Sequence, residues 1–185
     1  KTFFLNHSIA TPPFAPVASQ DDLMLALERI GAPAILKTRR LGYDGRGQVR
    51  ITRREDAEGA FEKLGAPAIL EGFCAFEREV SLIAARGKDR NVAFYDLCEN
   101  EHGGGILSRT TLPARTSPSA AQQARAAMET VLTAFDYVGV LTMEFFVMAD
   151  GTLVANEMAP RVHNSGHWTI EGALTSQFAQ HIRAV

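Results

Sequence analysis

The stretch Val138–Trp168 constrains the fold more than any other part of the chain. Two apolar, β-rich runs, Val138–Met148 and Thr152–Met158, flank Asp150-Gly151. Asp-Gly between such runs is the strongest short-range hairpin signal, because both central positions of the turn favour φ > 0. With Asp150 and Gly151 as the central turn residues, Ala149 faces Thr152, Val147 faces Val154 and Glu144 faces Glu157. Two carboxylates opposed on one face of an antiparallel pair repel unless something positive sits between them. A divalent cation answers that need. Few, hard oxygen ligands suit Mg²⁺ completed by water and phosphate oxygens, and Mn²⁺ accepts the same donors. Two blander readings stand beside it: one Glu turned to solvent, or a bulge that shifts the register.

The chain has 185 residues, enough for one sizeable core or two small lobes. A hydrophobic share of 46% with 22% charged residues fits an ordinary globular protein and argues against a disordered one. The net charge of -2 argues against nucleic acid, which needs a basic face, but leaves room for local positive charge around small anions. No apolar run reaches membrane-spanning length, so no membrane partner is expected. Cys74 and Cys98 lack metal-type spacing, and nothing suggests secretion. Two reduced thiols and a cytoplasmic location are expected. The chain opens at Lys1, without Met, inside a helical pattern and closes inside another, so it reads as a region of something longer.

In order along the chain, Lys1–His7 reads as a helix end and Phe14–Val17 as a short strand. Ser19 caps a helix with Asp21 and Asp22 in its first turn, an apolar face at Leu23, Ala26, Leu27 and Ile30, and Gly31 as its stop. Strands are expected at Ala34–Lys37, Gln48–Thr52 and Pro67–Glu71, with a helix over Arg54–Leu64 closed by Gly65. Residues 1–72 thus form a first α+β lobe and 73–185 a second. The second opens with strands Glu79–Arg86 and Asn91–Glu99, turns at Gly103–Gly105, and continues with Ile106–Thr111. Ser117-Pro118 starts a helix whose stripe is Ala120, Ala124, Met128, Val131 and Phe135. Leu174, Phe178 and Ile182 mark a closing helix.

Three groups of residues carry chemistry. Gly42, Tyr43, Asp44, Gly45, Arg46, Gly47 and Gln48 form a glycine-rich loop between two strands, where backbone N–H groups can approach phosphates, with Lys37 at the strand end leading in. The loop lacks the P-loop pattern, and no long helix follows as a dinucleotide fingerprint requires; an ordinary hairpin is the plain alternative. Glu71, Gly72, Phe73 and Cys74 end an apolar strand, offering backbone groups to an adenine edge, with Glu79 near enough in sequence for ribose hydroxyls. A simple linker with a solvated Glu would look the same. The third group is the hairpin with its continuation, Glu157–Trp168. Arg161 can clamp a phosphate or carboxylate, and His163 and His167 can bind an anion or move protons.

A Lys, a Gly loop, a hinge Glu and two carboxylates across a hairpin, in that order, resemble the ATP-grasp superfamily, an α+β fold of two lobes with antiparallel sheets enclosing ATP. Three motifs narrow the resemblance: G-Y-D-G-R-G-Q at Gly42–Gln48, E-V-S at Glu79–Ser81, and N-E-M-A-P-R-V-H-N-S-G-H-W at Asn156–Trp168. Together they look like the 5-(carboxyamino)imidazole ribonucleotide synthases, ATP-dependent carbon–nitrogen ligases of purine biosynthesis. The resemblance implies ATP, bicarbonate and aminoimidazole ribonucleotide as small-molecule substrates, carboxyphosphate as intermediate, and a homodimer of the complete chain. It implies that Lys37 and Gly42–Gln48 bind ATP phosphates, that Glu71–Cys74 hold the adenine and Glu79 the ribose, and that His102 lies in the ATP site. Glu144 and Glu157 would hold Mg²⁺, with Asn156 beside them. Tyr43, Asp44, Arg46, Arg161 and His163 would face bicarbonate and the acceptor. The family's N-terminal domain and C-terminal segment are missing from the 185 residues, so the region alone is expected to be incomplete for turnover. Other ATP-grasp ligases, a nucleotide-binding module without turnover and a plain structural domain are the competing readings; the His163–Trp168 loop favours the carboxylase.

Overall fold

Backbone pairing in the computed structural model gives two antiparallel sheets, each in its own compact unit; residues 1–40 and 47–185 are described. One unit comprises Pro12–Ala75 with Gly104–Ile106, and the other Lys1–Thr11, Phe76–Gly103 and Leu107–Val185. A division of the chain at residue 72 differs from this at the N-terminus. Helix α1 (Thr2–Asn6) buries Phe4 in the core of the larger unit, so it belongs there.

The smaller unit has the strand order β1-β4-β2-β3, from β1 (Phe14–Val17), β2 (Ala34–Thr38), β3 (Gln48–Ile51) and β4 (Ala68–Gly72). Helix α2 (Gln20–Ile30) starts where Ser19 accepts a hydrogen bond from the Asp22 N–H and stops at Gly31, φ 86°. It lays Leu23, Ala26 and Leu27 against Leu36, Ile51 and Leu70. Alternation along β2 buries Ala34 and Leu36 and turns Ile35 and Lys37 to the opposite face. The expected helix over Arg54–Leu64 is interrupted. A 3₁₀ turn at Arg54–Ala57 is followed by α3 (Ala60–Leu64), and Gly59 between them has φ 66°, outside the helical region.

The larger unit holds β5 (Arg78–Arg86), β6 (Val92–Phe94), β7 (Cys98–Gly103), β8 (Ile106–Thr111), β9 (Gly139–Val147) and β10 (Leu153–Ala159). The order is β10-β9-β5-β7-β8, with β6 also on β5. The expected single strand Asn91–Glu99 is therefore two. β6 pairs with the far end of β5 and β7 with its near end, and Tyr95–Leu97 steps between them. Helix α4 (Pro118–Ala134), capped by Ser117, packs Ala120, Ala124, Met128, Val131 and Leu132 against Val80, Leu82, Leu141, Met143 and Phe145. Each such Val, Leu or Met contributes about 1.5–3 kcal/mol of transfer free energy. Phe135, expected on that stripe, is 49% exposed: the helix ends one residue earlier and Leu132 takes the core position.

The chain closes with α5 (Thr169–Gly172) and α6 (Gln177–Ala184). Here the expected face is reversed. Leu174 lies before α6 and Phe178 and Ile182 on it are exposed, whereas Gln177 and Ala184 are buried.

The hairpin of β9 and β10 also differs in detail. Met148 N–H donates to the Thr152 carbonyl and Gly151 N–H to the Met148 carbonyl, so the loop is Ala149, Asp150 and Gly151 rather than Asp150-Gly151 alone. Leu153 therefore pairs with Val147, not Val154 as expected. This register alone would set Asn156 against Glu144. A bulge between Ala155 and Glu157 leaves Asn156 as the extra residue and brings Glu157 opposite Glu144. The expected carboxylate pair thus arises through two irregularities that offset each other. The outer edge at the bulge is tied down by Lys1 Nζ, which donates to the Ala155 and Asn156 carbonyls at 3.2 and 2.6 Å, and by Thr11 Oγ1 at 3.1 Å from the Ala155 carbonyl.

Candidate functional site

Opposed residues in a sheet project to the same face, so a row of side chains can be read from the register. Glu157 pairs with Glu144, Glu144 with Ser81, and Ser81 with Cys98. This row runs across four strands on the face opposite α4. One step along, Glu79 lies between Phe146 and Asn100. Glu79 is paired with His102, further along β7. Beneath the row, Thr110 Oγ1 donates to Asn100 Oδ1 at 3.2 Å, and Asn100 Nδ2 to Ser81 Oγ at 2.5 Å. Ser81 Oγ points on to Glu144 Oε1 at 3.5 Å.

The loop after β10 folds over the same row. His163 is buried, with Nδ1 at 3.8 Å from Glu144 Oε1 and 2.9 Å from Ser165 Oγ. Nδ1 also accepts from the Ser165 N–H at 3.3 Å, which leaves the neutral ring's proton on Nε2. Cys98 Sγ joins strand to loop, donating toward the Ser81 carbonyl at 3.4 Å and the Ser165 carbonyl at 3.6 Å.

The electrostatics follow from this crowding. Burial, then the facing Glu157 carboxylate, pushes the Glu144 carboxyl up to about 7, and the Ser81 hydroxyl only partly opposes this. Burial, then the Arg161 guanidinium, pushes the His163 imidazole down to about 4. His102 moves the other way: its hydrogen bond to Glu79 raises it. Burial raises the Cys98 thiol to about 12, so that sulfur is a structural donor and not a nucleophile.

The smaller unit holds the other expected residues. Lys37 Nζ is 3.1 Å from Glu71 Oε2, which is buried on the same face of the sheet. The Gly72 and Phe73 N–H groups donate to the Pro13 and Pro33 carbonyls, which commits two of the backbone donors expected to face adenine. The Phe73 ring lies under the Arg50 guanidinium, 4.8 Å from the ring centroid. Gly47 takes φ 73° at the base of the β2–β3 hairpin, and a Cβ there would meet Thr38 Oγ1 at 2.7 Å. Gly42, Tyr43, Asp44, Gly45 and Arg46 lie outside the described residues.

Within the larger unit, Glu79, His102, Glu144, Glu157 and His163 gather on one face, with Asn156 at the adjoining bulge. Arg161 is exposed and donates to the carbonyl of Val162, next to it in the chain, while His167 is exposed and stacks on Phe178. Sequence reasoning missed Ser81 and Asn100 under Glu144, Cys98 between strand and loop, and Gln177 behind His163. The signal for the first three was polar residues recurring at period two in buried strands; for Gln177 there was none beyond a polar residue in an amphipathic helix.

Among the described residues no group of three or more His, Cys, Asp or Glu side chains forms a metal cage. The donor set is a pair of carboxylates, one pushed toward neutrality by burial and then by the other. That fits a hard divalent cation whose remaining positions belong to water and phosphate oxygens, and it does not fit a closed protein site.

Comparison with known proteins agrees with this geometry. The ATP-grasp domain family matches residues 2–178. The N5-carboxyaminoimidazole ribonucleotide synthase of Brucella melitensis is 56% identical over 98% of this chain and 51% of its own length. The crystal structure of the Thermus thermophilus synthetase superposes with a TM-score of 0.91 at 52% identity, over 100% of this chain and 50% of that one. The Aspergillus clavatus synthase in complex with ADP and 5-aminoimidazole ribonucleotide superposes with a TM-score of 0.89 at 29% identity, over 99% of this chain and 48% of that one. The chain thus spans about half the length of the relatives it matches. Two antiparallel sheets, a carboxylate pair set across a bulged hairpin and a family match over nearly the whole sequence lead to one conclusion: the chain belongs to the ATP-grasp domain family.

Proposed function

We propose that this chain is the nucleotide- and acceptor-binding region of an ATP-dependent carbon–nitrogen ligase that carboxylates 5-aminoimidazole ribonucleotide to its 5-(carboxyamino) form. The observation that carries the reading is the pairing of Glu144 with Glu157, with His163 at 3.8 Å, on the loop whose sequence marks the carboxylase. The names of the relatives support it. In this reading bicarbonate attacks the γ-phosphorus of ATP, giving carboxyphosphate and ADP. The acceptor's exocyclic amine then takes the carboxyl group, and phosphate leaves.

Lys37 binds phosphate oxygens, held toward them by Glu71, and residues 42–48 cover the phosphates so that water does not hydrolyse the intermediate. Glu71–Cys74 contact adenine; Glu79, with His102 beside it, contacts ribose. Glu144 and Glu157, with Asn156 next to them, are the groups that would hold Mg²⁺ or Mn²⁺, which when bound neutralises charge on the phosphates. Tyr43, Asp44 and Arg46 face bicarbonate and the acceptor, and Arg161 lines the acceptor site, where its guanidinium can clamp a phosphate or carboxylate. His163 and Asp44 are the two groups offered for the proton that leaves the amine, and at His163 that proton replaces the Ser165 N–H at Nδ1. No disulfide joins Cys74 and Cys98, which suits a reducing, cytoplasmic setting, and a homodimer of the full-length protein completes the proposal.

The test is ADP release by the full-length protein with bicarbonate and aminoimidazole ribonucleotide each added or withheld. Release that needs both is expected, and Glu157→Gln should lower it by about 100-fold or more through loss of a metal-binding carboxylate. Release indifferent to the ribonucleotide would overturn the reading.

A further inference from the structure

Gln177 is a fully buried amide at the start of α6, and both ends of that amide are fastened to one residue. The His163 N–H donates to Gln177 Oε1 at 3.0 Å, and Gln177 Nε2 donates to the His163 carbonyl at 2.6 Å. Behind it, the Gln177 N–H donates to Thr169 Oγ1 at 2.9 Å, and Thr169 Oγ1 donates to the Gly166 carbonyl at 2.6 Å. The segment from His163 to Thr169 is thus closed on itself through one residue, by the Gln177 side chain at His163 and its backbone N–H at Thr169.

A primary amide offers one acceptor and one donor side by side at every pH. A carboxylate has no hydrogen to give, and an apolar residue of the same size makes neither bond. The fit is close as well as polar: a Cβ on Gly166 would lie 2.5 Å from Gln177 Oε1 and 2.5 Å from Ile83 Cδ1. α6 carries Phe178 and Ile182, yet these face outward while the amide is buried. Burying an amide is unfavourable unless both of its groups are paired. An apolar residue here would leave the buried His163 N–H and carbonyl unpaired, so the amide is what holds this stretch of backbone in place.

We infer that Gln177 is a positioning residue: it fixes the His163 backbone, and thereby sets the imidazole against Ser165 and beside Glu144, without touching substrate. The inference rests on the reading that His163 lines the acceptor site. Loss of the clamp leaves the nucleotide residues as they are and displaces the ring at the acceptor.

The full-length protein carrying Gln177→Met, which removes both bonds at every pH, tests this beside Gln177→Glu, with Gly166→Ala crowding the same amide from the opposite side. Four readouts are taken: the KM for ATP, the KM for aminoimidazole ribonucleotide, the ratio of ADP released to carboxylated product, and the Cε1–H resonance of His163. The expected result is an ATP KM within about twofold of wild type, kcat/KM for the ribonucleotide down by about 10- to 100-fold, ADP release outrunning product, and a displaced His163 resonance. Should Gln177→Glu fail to fold, Thr169→Val removes only the hydroxyl behind the clamp and should give the same split. An unchanged His163 resonance, or KM values for both substrates that rise together, would overturn the inference. Wild-type ADP release that ignores the ribonucleotide would instead overturn the proposed function, and the His163 resonance still reads the clamp.

Discussion

Glu99 and Glu144 are two buried carboxylates in one sheet, with side chains 7% and 14% exposed, yet they are perturbed in opposite directions. At Glu144 burial leads and a facing carboxylate adds to it, whereas at Glu99 a cation outweighs burial. Glu99 receives three hydrogen bonds from Arg115, from its backbone N–H and Nε at 3.2 Å and from Nη2 at 2.6 Å, and these hold it below the usual carboxylate range. Glu144 faces another carboxylate, a hydroxyl and an imidazole held neutral. One carboxylate has its cation built into the chain and is structural, while under the proposed function the other takes one from outside. The consequence for Glu99 has a definite sign. A folded pKa below the ordinary value of 4.5 contributes stability above that value and loses it as pH falls through the folded pKa. Glu99→Gln should therefore melt below wild type at neutral pH, with the gap closing as pH drops below about 4.5. Thermal melts across acid pH measure this, and a gap independent of pH would mean that Arg115 does not govern the residue.

At the scale of elements, the β9–β10 hairpin shows how far a local reading reaches. Asp150-Gly151 correctly marked a hairpin and Glu144–Glu157 correctly emerged as a facing pair, but the loop has three residues and the strand has a bulge. The bulge is held from the edge of β10 by Lys1 and Thr11, far off in sequence. The caps at Ser19 and Ser117 and the stops at Gly31 and Gly65 were legible because their partners lie within one turn. Gln177 was not, because its hydrogen-bond partner is fourteen residues away and its helix advertises an apolar face that stays exposed. The loop offers a direct test. Met148 and Thr152 pair around it, so deleting Ala149 leaves Asp150-Gly151 as a two-residue turn with the same pairs above it. The variant should melt within about 3 °C of wild type, given the roughly 2–4 °C expected per kcal/mol at this chain length. It should also keep its thermal response to Mg·ATP. A large loss of either would mean that the register depends on the three-residue loop and not on the bulge.

For the whole molecule, the two units have separate cores, and each supports a different part of the proposed chemistry. Leu36 is fully buried against α2, and its chain neighbours turn Ile35 and Lys37 to the other face of the sheet. Met143 is fully buried against α4, directly before Glu144 and paired with Leu82 and Met158. Neither cluster contains a residue of the other. Each core is a layer of helix on sheet, and removing methylenes from either leaves a cavity that only its own neighbours can fill. Leu36→Ala should thus cost about 2–5 kcal/mol, felt within Pro12–Ala75. Amide hydrogen exchange should quicken in β1, β2 and β4 while β5 and β9 keep their protection, and Met143→Ala should give the converse pattern. The carboxylate row would then survive Leu36→Ala with its register intact, while the strand bearing Lys37 loosens. Equal quickening in both units from either substitution would show a single cooperative fold, in which the two cores cannot be perturbed apart.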